Sequence, residues 1–489
     1  MAFTHNNISA TQQRPIHPVQ KRPRFQNFSG SSGTGSQRSF KELPPEDLYA
    51  AFIEADGNWC RTPDGSAIYQ WNGICWLEVQ DIVCLADAHS WLRKNFPDLA
   101  TCRKASACFD TAKLVLASLP EPPTRRCIIP CTDGWLELID DQFHRVEPDR
   151  SIGITHSINV SIGDTPVGSV YQPKANLGNG YFSRFLETSL PDKEVRLLIQ
   201  QYAGYTLIPS AYLNLQVAMI FIGNGGDGKG VMTGLLRGLH RKTCAMNLNS
   251  LDGFGAEGLI GATLALVDEG PTRGVVDDDR IKTMISGDSL DINRKHKSIL
   301  TYKPMAKWII SANETPRFGS AGQAIERRFL FAPWTASLSA EQRIPNLEQK
   351  IIDEEAREFL DWVLQGALAV LKKKGFDKPA AATRLKQESL ESMDTVLGWK
   401  TIAEPVLVQC ETPKHTIYED YRDWCSTNGQ VAVRASTFWL RLLRHLGVTE
   451  AELRGPRKLI NQQRVLTVKM KIHQPEPSPQ EDEKHPFDE

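Results

Sequence analysis

Val217-Ala218-Met219-Ile220-Phe221-Ile222-Gly223-Asn224-Gly225-Gly226-Asp227-Gly228-Lys229-Gly230-Val231-Met232-Thr233 is the stretch whose reading decides the fold. Its apolar opening reads as a short buried strand, and residues 231–236 read as the start of a helix. Strand, glycine-rich turn, lysine and helix together frame a phosphate-binding loop. Gly223, Gly225, Gly226 and Gly228, with Asn224 and Asp227 between them, leave backbone N–H groups able to curl round a polyphosphate. The helix N-terminus adds positive partial charge, and Lys229 is placed to reach β and γ phosphates. One position departs from the pattern. Gly230 stands where Ser or Thr would offer a hydroxyl to Mg²⁺, and the next hydroxyl, Thr233, lies about one helical turn on.

Composition sets the outer bounds. The chain has 489 residues, 41% hydrophobic and 24% charged, as expected of a globular protein of several domains. No apolar run is long enough to span a bilayer and the polar N-terminus has no signal-peptide core, so a cytoplasmic location without a membrane partner is expected. Ten scattered cysteines suggest reduced thiols rather than a disulfide framework. Cys127 and Cys131 form the closest pair, and without a second pair at ligand spacing a structural zinc is not expected. With a net charge of −1, nucleic acid would have to be met by local basic patches.

Upstream of the loop, residues 1–40 are Ser-, Gln-, Asn-, Pro- and Gly-rich and read as a disordered arm. Residues 41–150 read as a mixed α+β domain that opens with a helix at Pro44-Pro45-Glu46-Asp47. It continues with a hairpin through Asn72-Gly73, helices near Ala86–Lys94 and Ala105–Leu119, and strands near Ile128 and Trp135–Ile139. Core packing is the expected role of Trp59, Trp71 and Trp76, with base stacking the alternative. No constellation for nucleotidyl transfer is visible here. Residues 151–212 read as a linker and a helical segment, a collar between subunits or simple packing.

Downstream, Thr263–Val267 is an apolar strand ending in Asp268-Glu269. Asp268 is placed to hold Mg²⁺, and Glu269 to polarise an attacking water. A third strand, Ala306–Ser311, ends at Asn313, whose amide would orient that water. Arg327 and Arg328 follow, and an arginine from one subunit can stabilise transition-state charge in its neighbour's site. Between these strands, Asp291-Ile292-Asn293-Arg294-Lys295-His296-Lys297 reads as a basic hairpin whose tip would contact DNA phosphates.

This order of motifs resembles superfamily 3 helicases, and the frame is similar to phage, plasmid and poxvirus primase-helicases. Further likeness lies in Tyr202-Ala203-Gly204-Tyr205 and in Phe359-Leu360-Asp361-Trp362-Val363-Leu364-Gln365-Gly366. It is specific across about 180–370, and the family's primase module is not evident. The resemblance implies an α/β fold with an AAA+-like P-loop ATPase domain over 213–375. It also implies ATP and Mg²⁺ as cofactors, a homo-hexameric ring, single-stranded DNA in the channel, and a separate primase or initiator protein as partner.

After an expected linker at 376–400, residues 401–472 resemble the family's winged-helix tail, and 473–489 read as an acidic tail. The expected function is an ATP-driven replicative DNA helicase of a phage, plasmid or mobile element. An initiator ATPase that melts or loads DNA without processive unwinding is the alternative.

Overall fold

The structure, a computed structural model, describes residues 43–472 except 175–177, 249, 252, 269–275, 295–298, 317–322, 340 and 461–462. Its centre is a five-stranded sheet of β1 (Ala218–Gly223), β2 (Thr243–Ala245), β3 (Leu264–Val267), β4 (Lys307–Ala312) and β5 (Phe329–Trp334). The spatial order is β5-β1-β4-β3-β2, and every pairing is parallel. A parallel sheet requires crossovers that cover its faces, which is why these strands are mostly apolar on both faces rather than alternating with polar residues.

Alternation instead assigns apolar side chains to two cores. Met219, Phe221, Leu264, Leu266 and Ile309 pack with Met232, Leu235 and Leu236 of helix α1 (Lys229–Leu239). Ala218, Ile220, Ala265, Val267 and Ile310 pack on the other face with Ile281, Met284 and Ile285 of helix α2 (Asp278–Ser286). Each large side chain buried this way contributes about 1.5–3 kcal/mol, so the sheet is a rigid platform for whatever its strand ends carry.

The segment before the sheet forms two helices, Tyr181–Ser189 and Lys193–Leu207. The second packs against Ala356–Lys373 by an approach that only glycine allows. A Cβ on Gly204 would lie 2.0 Å from the Ala367 nitrogen, and one on Gly366 would lie 1.9 Å from the Gln200 carbonyl. Tyr202 then donates its hydroxyl to the Trp308 carbonyl at 2.6 Å, tying the helix to β4. Within one chain these residues are packing.

Residues 376–400, expected as a linker, contain helix Ala380–Met393 and the start of Thr395–Ala403. The first of these lies along β5, the edge strand, where Ala382 joins the α1-side core and Leu385 the opposite one. The sequence there looks polar because only a narrow stripe of the helix is needed to cover an edge.

The N-terminal region holds a three-stranded antiparallel sheet (Trp59–Arg61, Ile68–Trp71, Trp76–Val79) with three helices, Pro45–Asp56, Asp81–Asn95 and Cys102–Val115. A four-stranded antiparallel sheet follows, and its last strand, Val170–Tyr171, pairs with Gln142–Val146 across the boundary expected at 150. Ile129, Leu136 and Phe143 of that sheet belong to the same core as α1. Trp59 and Trp76 are buried, and Trp71 is half-buried against Trp76 and Trp135, so these tryptophans serve as packing. Cys127 and Cys131 are buried free thiols, and burial pushes the Cys127 thiol up to about 12. No group of three or more metal-ligating side chains occurs among the described residues.

Past the parallel-sheet core, three helices (Thr395–Ala403, Lys414–Thr427, Ala435–Leu446) pack with an antiparallel sheet of Val406–Pro413, Gln463–Lys471 and Arg454–Ile460. Among the described residues no helix is long and apolar enough to cross a membrane. The expected arm at 1–40 and tail at 473–489 lie outside the described residues.

Candidate nucleotide site

The loop after β1 turns on three residues of positive φ, Gly225 (85°), Gly226 (67°) and Gly228 (102°). These are backbone states that side chains disfavour. Gly223 is required for a different reason, because a Cβ there would meet Asp227 Oδ2 at 2.2 Å and the Trp334 carbonyl at 2.4 Å. The loop delivers Lys229 to the first position of α1, with its ammonium group almost wholly buried. Lys229 Nζ donates to Asp227 Oδ2 at 2.5 Å and to the Gly223 carbonyl at 2.8 Å. Asp227 is itself only 2% exposed.

A cavity of about 720 Å³ opens above this turn, lined by the loop from Gly225 to Gly230 and by Thr233, Asp268 and Asn313. Three strand ends therefore meet where the sequence expected them to meet. β1 brings the loop, β3 brings Asp268, and β4 brings Asn313, all at the carboxyl edge of the sheet where open α/β folds bind ligands. Gly223 and Asn224 do not line the cavity. Thr233 lines it, yet its hydroxyl donates to the Lys229 carbonyl at 2.6 Å inside the helix. Gly230 has nothing within 4 Å of where a Cβ would stand.

Asp268 is half-exposed and accepts a 2.7 Å ion pair from Arg237. Lys229, Thr233 and Arg237 recur every fourth residue on one face of α1, a spacing that would have marked Arg237 as a site residue in the sequence. Three more lining groups carried no such signal: Arg343, Arg184 and Ser311. A Cβ on Gly226 would lie 2.5 Å from the Arg343 guanidinium, which places that cation over the loop. Arg184 is presented by helix Tyr181–Ser189, whose first turn is capped by Glu355, accepting from the Tyr181 and Phe182 nitrogens at 2.7 Å each. The wall of the cavity is thus basic and its floor carries Asp268.

Glu269 lies outside the described residues, as do Lys295, His296 and Lys297. The hairpin that carries them is present, with Leu290 opposite Tyr302 and Ile292 opposite Leu300. Arg294 follows its first strand. Arg327 and Arg328 end helix Gln323–Arg328 and do not line the cavity of their own chain. Arg328 donates to Ser286 Oγ from Nη2 at 2.9 Å and from Nε at 3.2 Å, whereas Arg327 is exposed.

Residues 221–328 match a family described as "Family of unknown function (DUF5906)". Among solved structures, the chain is similar to the NrS-1 C-terminal region in its A form apo structure, with 12% identity and a TM-score of 0.50 over 88% of this chain and 100% of that one. A second apo structure of that region aligns at 13% identity and TM-score 0.48, again over 88% and 100%. A JCV helicase bound to a thiazolopyridine compound aligns at 12% identity and TM-score 0.29, over 45% of this chain and 63% of that one, too distant to support an argument. No curated protein matches the sequence. The likeness to the NrS-1 region is one of fold, and it runs the length of that region.

Proposed function

From the fold shared with the NrS-1 C-terminal region, we propose that this chain is a nucleic-acid-stimulated ATPase. It acts as a superfamily 3 type replicative DNA helicase that works as a homo-hexameric ring on single-stranded DNA. The observation that carries the reading is the convergence of Lys229, Asp268 and Asn313 on one basic cavity at the carboxyl edge of a parallel sheet.

Each residue has a role that follows from its position. Backbone N–H groups of the loop and Lys229 hold the β and γ phosphates, which also screens the charge that builds on the transferred phosphoryl group. Arg184 and Arg343 add cations to the same cavity. Asn313 stands at the end of β4, where its amide can hold a water in line with the γ phosphate. Glu269 follows Asp268 in sequence and is assigned the role of drawing a proton from that water.

A divalent cation fits these residues, since Asp268, Asn313, Thr233 and Ser311 are hard oxygen donors of the kind Mg²⁺ takes. The chemistry such a cation would supply there is positive charge that neutralises phosphate. Asp268 would hold it once released from Arg237.

A finger arginine supplied by a neighbouring subunit completes the site. Arg327 is the better donor of the two, because Arg328 is engaged with Ser286 of its own chain. Arg294, Lys295, His296 and Lys297 are assigned to DNA backbone contact at the hairpin tip. The C-terminal three-helix and three-strand unit is read as a winged-helix module. The test is ATP hydrolysis with and without single-stranded DNA. Stimulation that disappears in Glu269→Gln, with nucleotide still bound, supports the reading, and hydrolysis indifferent to DNA removes the helicase from it.

A further inference from the structure

Gly230 leaves the candidate site one hydroxyl short, while the floor of the same cavity holds a hydroxyl with no partner. Ser311 lies near the C-terminal end of β4, lines the cavity, and is 9% exposed. Its Oγ is shielded from solvent and has no hydrogen-bond partner.

The register fixes where it stands. Ser311 pairs with Phe221 of β1, and the residue before it, Ile310, pairs with Val267 of β3. Ser311 is therefore level with Asp268 and lies between the strand that feeds the phosphate loop and the strand that carries the carboxylate. Ile309, two residues earlier and so on the same face, packs in the core with Met232 and Leu235 of α1. The Ser311 hydroxyl thus faces the helix whose first turn contains Gly230. A buried hydroxyl without a partner is unfavourable, a cost removed when a ligand gives it one. Ser189 Oγ also lines the cavity without a partner, but it lies against Gly228 of the loop rather than level with Asp268. The Thr233 hydroxyl is already oriented by its hydrogen bond to the Lys229 carbonyl.

We propose that Ser311 supplies an oxygen ligand, directly or through one bound water, to the divalent cation that accompanies nucleotide, in place of the hydroxyl that Gly230 lacks. The proposal rests on the nucleotide reading above and goes beyond it by moving a metal ligand from the helix to the strand.

The test uses the full chain with Mn²⁺ and ADP as probes. Free Mn²⁺ is read by electron paramagnetic resonance, and ADP binding is read separately in EDTA. Ser311→Ala removes only an unpartnered hydroxyl, so the fold is kept, and circular dichroism checks that it is. The expected result is at least a tenfold loss of Mn²⁺ affinity in the presence of ADP, with ADP binding in EDTA unchanged within twofold. Gly230→Ser, which has open space for its side chain, should restore Mn²⁺ affinity in the Ser311→Ala background. A merely structural defect would not respond to it. Ser311→Cys should shift preference from Mg²⁺ towards Cd²⁺, the softer ion. Mn²⁺ affinity retained within twofold in Ser311→Ala, or lost in Thr233→Ala instead, overturns the proposal. A parent protein that binds no ADP even in EDTA fails the nucleotide reading itself, which is a different and distinguishable result.

Discussion

Lys229 and Asp227 form a buried ion pair beneath the phosphate loop, with Nζ and Oδ2 2.5 Å apart and both side chains more than nine-tenths buried. The lysine that should serve phosphate is held by a carboxylate of its own loop. Nucleotide must draw Lys229 away and leave Asp227 buried without its counter-charge, so part of the binding energy is spent on the separation. Asp227→Asn removes the competitor while keeping the acceptor for the Lys229 backbone nitrogen. ADP affinity should rise roughly threefold to tenfold, or about 1 kcal/mol, as read by calorimetric titration. A fall in affinity would show that Asp227 serves the ligand rather than competing with it for Lys229.

The same pair predicts a stability effect. Lys229→Ala should abolish hydrolysis, but it should also strand Asp227, and an uncompensated buried charge costs about 3–5 kcal/mol. The unfolding midpoint should fall in the single variant and recover most of that loss in Asp227→Asn with Lys229→Ala. Equal midpoints for the single and double variants would mean that the pair is not buried in solution.

A trans arginine is tested by mixing. Arg327→Ala should lower hydrolysis at least tenfold, and Arg328→Ala should do less, because its guanidinium is occupied by Ser286. Mixed with Lys229→Ala protein, Arg327→Ala protein should regain part of its activity, since an intact loop then faces an intact arginine. Subunits that exchange and show no recovery would place the arginine in its own chain's chemistry.

Much of this site was legible in the sequence because its parts are local. The glycine pattern 223–230 specifies the turn, and an apolar strand ending in Asp268 or approaching Asn313 states its own position at a sheet edge. The pairing of Asp227 with Lys229 was not legible, since a carboxylate two residues from a lysine reads equally well as solvated. Ser311 and Arg343 join the site only through strand register and through the loop after β5, which no local pattern encodes. The Tyr202–Tyr205 and Phe359–Gly366 segments carried the family likeness for a packing reason. Gly204 and Gly366 let two helices touch, and the Tyr202 and Tyr205 hydroxyls tie the first of them to Trp308 and Lys307.

Lys307 gives the pH prediction. It begins β4, fully buried, with its Nζ donating to the neutral hydroxyls of Tyr205 at 3.0 Å and Ser210 at 2.7 Å. Burial pushes its ammonium down from 10.5 to about 7. Between those values the unfolded chain binds a proton that the folded chain has released, so stability rises with pH across that window, by at most about 1.4 kcal/mol per unit. Lys307→Met lacks this term. Its stability relative to the parent should be most favourable near pH 7 and should decline towards pH 10, as followed by urea unfolding at each pH. A difference that is flat between pH 7 and 10 would show that Lys307 stays charged in the fold.

Strand displacement separates hydrolysis that drives movement on single-stranded DNA from hydrolysis that does not. A forked duplex with one labelled strand is incubated with the full chain and ATP, or with a non-hydrolysable analogue. The labelled strand should be released with ATP, and should not be released with the analogue, in Lys229→Ala, or in Lys295→Ala with His296→Ala. DNA-stimulated hydrolysis that leaves the duplex intact would contradict the helicase reading and identify an initiator ATPase instead.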